Sequence, residues 1–135
     1  MMKQMWNITQ AGFTAVGGFI GWYLGGLDGF LYALIAFVVT DYITGVLSAI
    51  QDKRLSSRVG FKGIARKVLI FALVGIGNIM DTVVLKEGST IRTAVIFFYL
   101  SNEGISILEN AAHMGLPIPG VLRKLLESLS KEEEK

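Results

Sequence analysis

Residues 29–50 read GFLYALIAFVVTDYITGVLSAI, and Asp41 is the only charged side chain among them. A predominantly apolar run of about 20 residues is long enough for an α-helix to cross the hydrocarbon core of a bilayer. An ionised carboxylate at the centre of such a helix costs roughly 2.5 to 3.5 kcal/mol, so it turns toward protein or water. The stretch therefore predicts a membrane-spanning helix with one polar side.

Three other apolar segments accompany this stretch. Residues 11–27 carry no charge, residues 68–85 carry only Asp81, and residues 93–108 carry only Glu103. The chain of 135 residues is 52% hydrophobic and only 18% charged, with a mean hydropathy of +0.53. This composition is not that of an ordinary soluble domain, so we expect most of the chain to lie in lipid.

We therefore predict an all-α integral membrane protein that forms a single membrane domain. Four transmembrane helices are expected, with three as the alternative, because the first segment is rich in glycine and only weakly apolar. A short C-terminal amphipathic helix and a charged, disordered tail should follow them. The expected bounds are 1–135 for the domain, about 9–27, 29–50, 67–85 and 92–112 for the spans, about 120–130 for the amphipathic helix and 131–135 for the tail.

Basic residues cluster in the connection between the second and third segments, which we predict to be a long polar loop. Loops that are rich in lysine and arginine stay in the cytoplasm, so this loop orients the chain. Four spans then place both the N- and the C-terminus in the cytoplasm, although Lys86 and Arg92 weakly oppose this arrangement. The predicted cytoplasmic basic loop contains Lys53, Arg54, Arg58, Lys62, Arg66 and Lys67.

Polar residues in three segments recur at steps of three and four, so each group shares one helix face. One interpretation is interhelical hydrogen bonding, on the order of 0.6 kcal/mol per pair in lipid. The other is that the stripes line water in an oligomer, and a proton relay is a further option. The stripe residues are Asp41, Thr44 and Ser48 in the second segment, Asn78 and Asp81 in the third, and Asn102, Glu103, Ser106, Glu109 and Asn110 in the fourth.

Two further patterns predict contacts. Gly17, Gly21 and Gly25 stand four residues apart, which allows close approach of another helix, either within the chain or from a second copy. Near the C-terminus, one face of the amphipathic helix is apolar and the other polar, which predicts an interfacial helix or a partner contact. Its apolar face contains Val121, Leu122, Leu125, Leu126 and Leu129, and its polar face contains Arg123, Lys124, Glu127 and Ser128.

The residue inventory argues against catalysis. The chain has no cysteine and a single histidine, His113, so zinc ligation and a histidine-based catalytic triad within one chain are excluded. Neither glycine-rich phosphate-binding motif is present. The basic residues lie between apolar segments and are not interleaved with aromatic residues, so nucleic acid is not an expected partner. We expect no enzymatic activity, no cofactor and no metal.

Several short motifs together resemble a known family. The chain resembles phage holins of the toxin secretion and phage lysis family from about Leu31 to Leu126. The motifs are Asp41-Tyr42-Ile43-Thr44-Gly45, Ser56-Ser57, Gly60, Gly63-Ile64-Ala65-Arg66-Lys67, Ser101-Asn102-Glu103, Ser106-Ile107-Leu108-Glu109-Asn110 and Gly115-Leu116-Pro117-Ile118-Pro119.

The resemblance implies a small protein of the bacterial cytoplasmic membrane that accumulates and then assembles into large homo-oligomeric lesions. These lesions release an endolysin to the cell wall or, in some clostridial relatives, assist toxin export. The implied partners are membrane lipid, further copies of the chain, and the endolysin or toxin as cargo. Our hypothesis is that the stripe residues line or nucleate the lesion and that the glycine face controls association.

Two other functions are compatible with the stripes. Four short spans with an embedded glutamate are compatible with a small proton-coupled exporter or ion channel that uses Glu103 as its exchanging group. An inert assembly subunit, in which the carboxylates only hold helices together, is the third hypothesis.

Overall fold

The computed structural model describes the backbone of residues 1–134 and the side chains of residues 1–128. Helices make up 83% of the chain, and the described residues contain no strand, which confirms the all-α prediction. The helices are α1 (Met2–Tyr23), α2 (Gly29–Gln51), α3 (Ser57–Ile79), α4 (Thr90–His113) and α5 (Gly120–Glu134), and a π-helical turn (Met80–Val84) continues α3.

Among the described residues, three helices are long and apolar enough to cross a membrane. They are α2, α3 together with its π-helical turn, and α4, and their most apolar windows have mean hydropathies of 1.9, 1.8 and 1.2. The helix α1 does not belong to this set, and its residues are exposed as far as Ile20. The protein is therefore a multi-pass membrane protein with three candidate spans, and the fourth span stays a prediction.

Local caps explain where the helices begin. Asp28 accepts a hydrogen bond from the backbone N–H of Leu31 at 2.9 Å and so starts α2. Ser56 accepts one from Val59 at 3.2 Å and starts α3. Such side-chain acceptors satisfy N–H groups that have no partner inside the helix. The helix α3 therefore begins at its serine cap and not where the sequence turns apolar.

The predicted basic loop is wrong in its conformation. Only Lys53 and Arg54 lie in the turn between α2 and α3, whereas the other four basic residues belong to the helix α3. Lysine and arginine are good helix formers, so the helix continues through them once Ser56 has capped it. The four helical residues are Arg58, Lys62, Arg66 and Lys67.

The predicted disordered tail is also wrong, because α5 continues to Glu134. The side chain of Leu129, which was assigned to the apolar face of this helix, and the whole of Lys135 lie outside the described residues. The predicted start of the amphipathic helix at about residue 120 agrees with the observed one.

The helix α4 occupies the centre of the bundle. It packs against α2, α3 and α5, whereas α2 and α3 touch each other little. The core that joins the three candidate spans contains fully buried side chains from each of them. In lipid this packing acts through van der Waals contact and small residues, since lipid tails are as apolar as leucine. The largest members of the core are Leu31, Leu34, Val74 and Ile96.

The C-terminal end of α1 docks on α3 through one aromatic residue. The ring of Tyr23 lies directly over Gly75, and its hydroxyl donates a hydrogen bond to the carbonyl of Ala72 at 2.9 Å. Asn78 donates to the carbonyl of Tyr23 at 3.2 Å. The rest of α1 has no buried residue, so α1 is held only at this end.

The contact between Tyr23 and Gly75 predicts that a side chain at position 75 destabilises the protein. A methyl group there collides with the Tyr23 ring, so we expect Gly75→Ala to cost about 1 to 3 kcal/mol of stability, as overpacking usually does. Gly18→Ala is the matched control, because a Cβ at Gly18 meets no atom within 4 Å. That variant should gain the roughly 1 kcal/mol of helix propensity that alanine has over glycine. Thermal unfolding in detergent micelles measures both, and equal behaviour of the two variants would contradict the docking.

Candidate functional site

One lysine and two carboxylates meet in the middle of the three candidate spans. The ammonium of Lys67 on α3 lies 2.7 Å from Oδ2 of Asp41 on α2. It also lies 3.2 Å from Oε2 and 3.3 Å from Oε1 of Glu103 on α4. The three side chains are only 16%, 12% and 8% exposed, respectively. We call Asp41, Lys67 and Glu103 the charged triad.

Neutral polar groups complete the bonding of the charged triad. Asn110 donates to Oδ1 of Asp41 at 3.1 Å and to the hydroxyl of Thr44 at 3.0 Å. The hydroxyl of Thr44 lies 2.9 Å from the carbonyl of Thr40, to which it donates. Among the described residues, every buried side-chain nitrogen or oxygen has a hydrogen-bond partner. The polar stripes of α2 and α4 therefore face each other, with Lys67 between their carboxylates.

The polar stripes in the sequence predict both carboxylates of the charged triad, whereas the expectation of a loop at Lys67 is wrong, since Lys67 lies on α3. The available signal was its position, since Lys67 is the last basic residue before the apolar run that begins at Val68. An ion pair in a low-dielectric interior needs each of its partners, because removing one leaves a buried charge uncompensated. Lys67 therefore supplies the positive charge that these two carboxylates need inside the bundle.

A cavity of about 540 Å³ opens between α2 and α3 beside the charged triad. Tyr42 reaches across it, with its hydroxyl oxygen 3.4 Å from where a Cβ on Gly60 would lie and its ring carbon Cε2 3.4 Å from that of Gly63. The two glycines leave room on α3 for Tyr42, while other α3 side chains such as Arg66 and Leu69 line the rest of the cavity. Asn102 and Ser106 of the predicted stripe also line the cavity.

The structure does not bring every stripe residue to this cavity. Asp81 and Asn78 lie toward the opposite end of the bundle, Ser48 is buried on α2, and Glu109 is exposed. Asp81 is 1% exposed and accepts hydrogen bonds from the backbone N–H groups of Ile91 and Arg92 at 3.0 and 2.9 Å. It thereby caps α4 instead of joining the charged triad.

Arg92 forms a second buried cluster, which no pattern in the sequence predicts. Its guanidinium donates to the carbonyls of Leu24 and Gly26 at 2.6 and 3.0 Å and to Oδ2 of Asp28 at 2.8 Å. Arg92 is 3% exposed. We call this cluster the Arg92 clamp, and it ties the turn after α1 to the start of α4. The one indication of this cluster in the sequence is Asp28, whose position immediately before an apolar run is typical of a helix N-cap.

The hydrogen bond from Arg92 holds the pKa of Asp28 below its ordinary value of 3.8. Partial burial opposes this shift, and the backbone N–H of Leu31 adds to it. The carboxylate of Asp28 is thus stabilised in its charged form at the end of the bundle where α2 begins.

At the other end of the bundle, a histidine contacts an aspartate. His113 Nε2 at the end of α4 lies 2.7 Å from Oδ2 of Asp52 at the end of α2, and Arg54 lies 3.1 Å from the same oxygen. The hydrogen bond with His113 lowers the pKa of Asp52, and Arg54 lowers it further. We call this the basic end, because Lys53, Arg54 and the first turns of α3 lie there.

The predicted three-glycine face is wrong at one position. The helix α1 ends at Tyr23, so Gly25 lies in the following turn, where its φ of +87° favours glycine. A Cβ on Gly25 would approach Asn78 and Arg92, whereas Gly17 and Gly21 have no atom within 4 Å of a Cβ position. The intrachain partner for Gly17 and Gly21, one of the two alternatives, is thus not found among the described residues.

Comparison with known proteins gives a consistent result. A family model described as the bacteriophage holin family matches residues 18–131. An uncharacterised protein of Listeria monocytogenes is 43% identical, with 94% of this chain and 92% of the relative covered. A 14.9 kDa protein of the nagH 3′ region of Clostridium perfringens is 35% identical, with coverages of 98% and 100%.

A phage protein also matches this chain. It is a probable holin of Bacillus phage phi105, which is 36% identical with 83% of this chain and 82% of the relative covered. No solved structure matches. Among the described residues, no three histidine, aspartate or glutamate side chains are grouped as metal ligands.

The charged triad predicts a large effect of removing its cation. We expect Lys67→Met to cost about 3 to 5 kcal/mol of stability, since it leaves buried carboxylates without their ammonium. Lys62→Met is the matched control on the exposed side of α3 and should stay within about 0.5 kcal/mol of wild type. Equilibrium unfolding in mixed micelles measures both, and a Lys67→Met variant as stable as the control would contradict the pairing.

The Arg92 clamp predicts a pH dependence. Because the folded pKa of Asp28 is lower than 3.8, its stabilising contribution is present above that pH and is lost as the pH falls through the folded value. Asp28→Asn keeps a capping side chain but removes the charge, so it should cost less than about 1 kcal/mol at neutral pH, given the exposure of this carboxylate. Thermal unfolding at about pH 7 and about pH 3 compares the two chains, and the stability difference between wild type and Asp28→Asn should be smaller at about pH 3. A difference that grows in acid is the contrary result.

Proposed function

The chain belongs to the bacteriophage holin family, and we propose that it oligomerises in the bacterial cytoplasmic membrane into lesions that release an endolysin or a toxin. Family membership and the probable holin of phage phi105 support a holin function. The observation that carries the proposal further is the charged triad. It gives a single chain a way to hold charged groups inside apolar spans before assembly.

The triad suggests two states for these side chains. In the closed chain, Lys67 lies between Asp41 and Glu103, so both carboxyl groups contact a cation and the bundle tolerates lipid around it. In an oligomer, the same groups can face water, where they need no partner. Separation of α2 from α3 is the movement that exposes them, since these two helices touch each other little and already enclose a cavity.

The ends of the bundle support an orientation. The basic end carries Lys53, Arg54, Arg58 and Lys62, against Lys86 and Arg92 toward the opposite end, and this excess favours a cytoplasmic location for the basic end and for the start of α5. The C-terminal end of α1 is anchored near the Arg92 clamp, at the opposite end. At 1.5 Å per residue, the 22 residues of α1 reach about 33 Å, enough to return to the cytoplasmic side.

We also propose that α1 crosses the membrane. In this arrangement α1 is the fourth span, both termini are cytoplasmic, and α1 associates with other copies through Gly17 and Gly21. The openness of both glycines within the described chain supports an intermolecular contact. The holin family is a family of non-enzymatic membrane proteins, and we assign this chain no catalytic role.

One observation favours the exporter or channel hypothesis: Glu103 lines an open cavity. An exchanging carboxylate must release its bound cation, however, and the cation that contacts Glu103 here is the side chain of Lys67. This pairing favours a closed structural state over a transport site. The two functions differ in outcome, because an exporter supports growth whereas a holin ends it.

Lysis timing tests the proposed function. The triad has two carboxyl groups and one ammonium, so Glu103→Gln leaves a balanced pair and should delay lysis by favouring the closed chain. Lys67→Met should advance lysis, because it leaves the carboxyl groups without a cation. A change of about 1.4 kcal/mol in the free-energy difference between the closed chain and the oligomer changes their ratio tenfold, which is enough to shift the onset of lysis. The measurement is culture turbidity after induction together with an endolysin, with membrane amounts checked by immunoblotting.

Glu87→Gln is the matched control, because it makes the same change at an exposed glutamate that belongs neither to the charged triad nor to the predicted stripes. It should lyse at the wild-type time. Wild-type chains that never release the endolysin would contradict the proposed function. Triad variants that all lyse at the wild-type time, or all shift in one direction, would contradict the role of the charged triad.

A further inference from the structure

The helix α5 turns back along the bundle and docks at a notch in α4. Leu126 is buried, and a Cβ placed on Gly104 would lie 2.9 Å from its Cδ1. The same position is 3.1 Å from Cε2 of Phe37 on α2. The notch exists because position 104 has no side chain, so Leu126 of α5 and Phe37 of α2 both approach the backbone of α4 there.

The notch lies at membrane depth. Gly104 is nine residues before the end of α4 at His113, which corresponds to about 14 Å along the helix. The hydrocarbon core is about 30 Å thick, so a spanning α4 places Gly104 well inside it. Docked α5 therefore runs beside α4 within the depth of the bilayer and does not lie on the surface.

The remaining faces of α5 have different chemistry. Val121 and Leu125 are 82% and 57% exposed, so one flank is apolar and uncovered. Lys124 and Glu127 are exposed on another flank. Ionised side chains that face acyl chains are strongly unfavourable, and within a membrane they face water or other protein. Docked α5 thus matches a position with protein on one side, apolar surroundings on a second and water on a third.

We propose that docked α5 lines the aqueous lumen of the assembled lesion, with Lys124 and Glu127 facing the water. The proposal rests on the holin function proposed above, because only an assembled lesion supplies water at this depth. The described chain already has α5 docked, so assembly adds water beside Lys124 and Glu127 and α5 keeps its position. Insertion of Leu126 into the Gly104 notch is the contact that holds it in the lesion.

Release from liposomes tests the docking contact. Purified full-length chain is added to liposomes of anionic phospholipid that contain a fluorescent dye. Leu126→Ala removes the side chain that fills the notch and should slow dye release several-fold, without altering the candidate spans. Leu125→Ala is the matched control on the exposed flank and should release dye at the wild-type rate. Equal rates for the two variants, or faster release by Leu126→Ala, would overturn the proposal.

Ion selectivity tests the lumen position. In planar bilayers with a salt gradient, Lys124→Glu should shift the reversal potential toward cation selectivity. Lys3→Glu makes the same charge change on α1 and should leave the potential at the wild-type value. An unchanged potential for Lys124→Glu would overturn the placement of α5. Failure of the wild-type chain to release dye or pass current is a different result, since it overturns the proposed function itself and this inference with it.

Discussion

The pairing of Lys67 with two carboxylates is the interaction on which the rest of the structure depends. Asp41 and Glu103 lie on different helices, and neither has another cation within salt-bridge distance among the described residues. An unpaired charge at the centre of a span is costly in lipid, so the position of α3 between the carboxylates satisfies both. The same contact joins α2, α3 and α4 into one bundle. Stability and charge compensation therefore have a common origin.

Two clusters at the ends of the bundle fix its geometry around this centre. The Arg92 clamp joins the turn after α1 to α4, while Asp52 and His113 join the ends of α2 and α4. Between them, α2 and α3 remain separated by a cavity. A bundle that is fixed at both ends and open along one side has a clear place to rearrange. In the proposed function, this opening separates charges that were paired in the single chain.

The sequence predicted the parts of the fold that depend on local chemistry. Residues 29–50 match α2 almost residue for residue, because polar groups at Asp28 and Asp52 flank an apolar run. The start of α3 was placed ten residues too late, since hydropathy marks where charge ends and Ser56 marks where the helix begins. Gly25 was assigned to a helix face by spacing, although α1 had already ended at Tyr23. The partners of Lys67 and Arg92 are distant in the chain, so no local pattern identified them.

The central claim is that Lys67 and Asp41 stabilise each other inside the bundle, and a double-mutant cycle tests it most directly. The cycle compares the unfolding free energies of Lys67→Met, Asp41→Leu and the double variant in bilayer-like micelles. A direct, buried pair predicts a coupling energy of at least about 1.5 kcal/mol. Effects that add within about 0.5 kcal/mol are those of independent sites and would contradict the pairing.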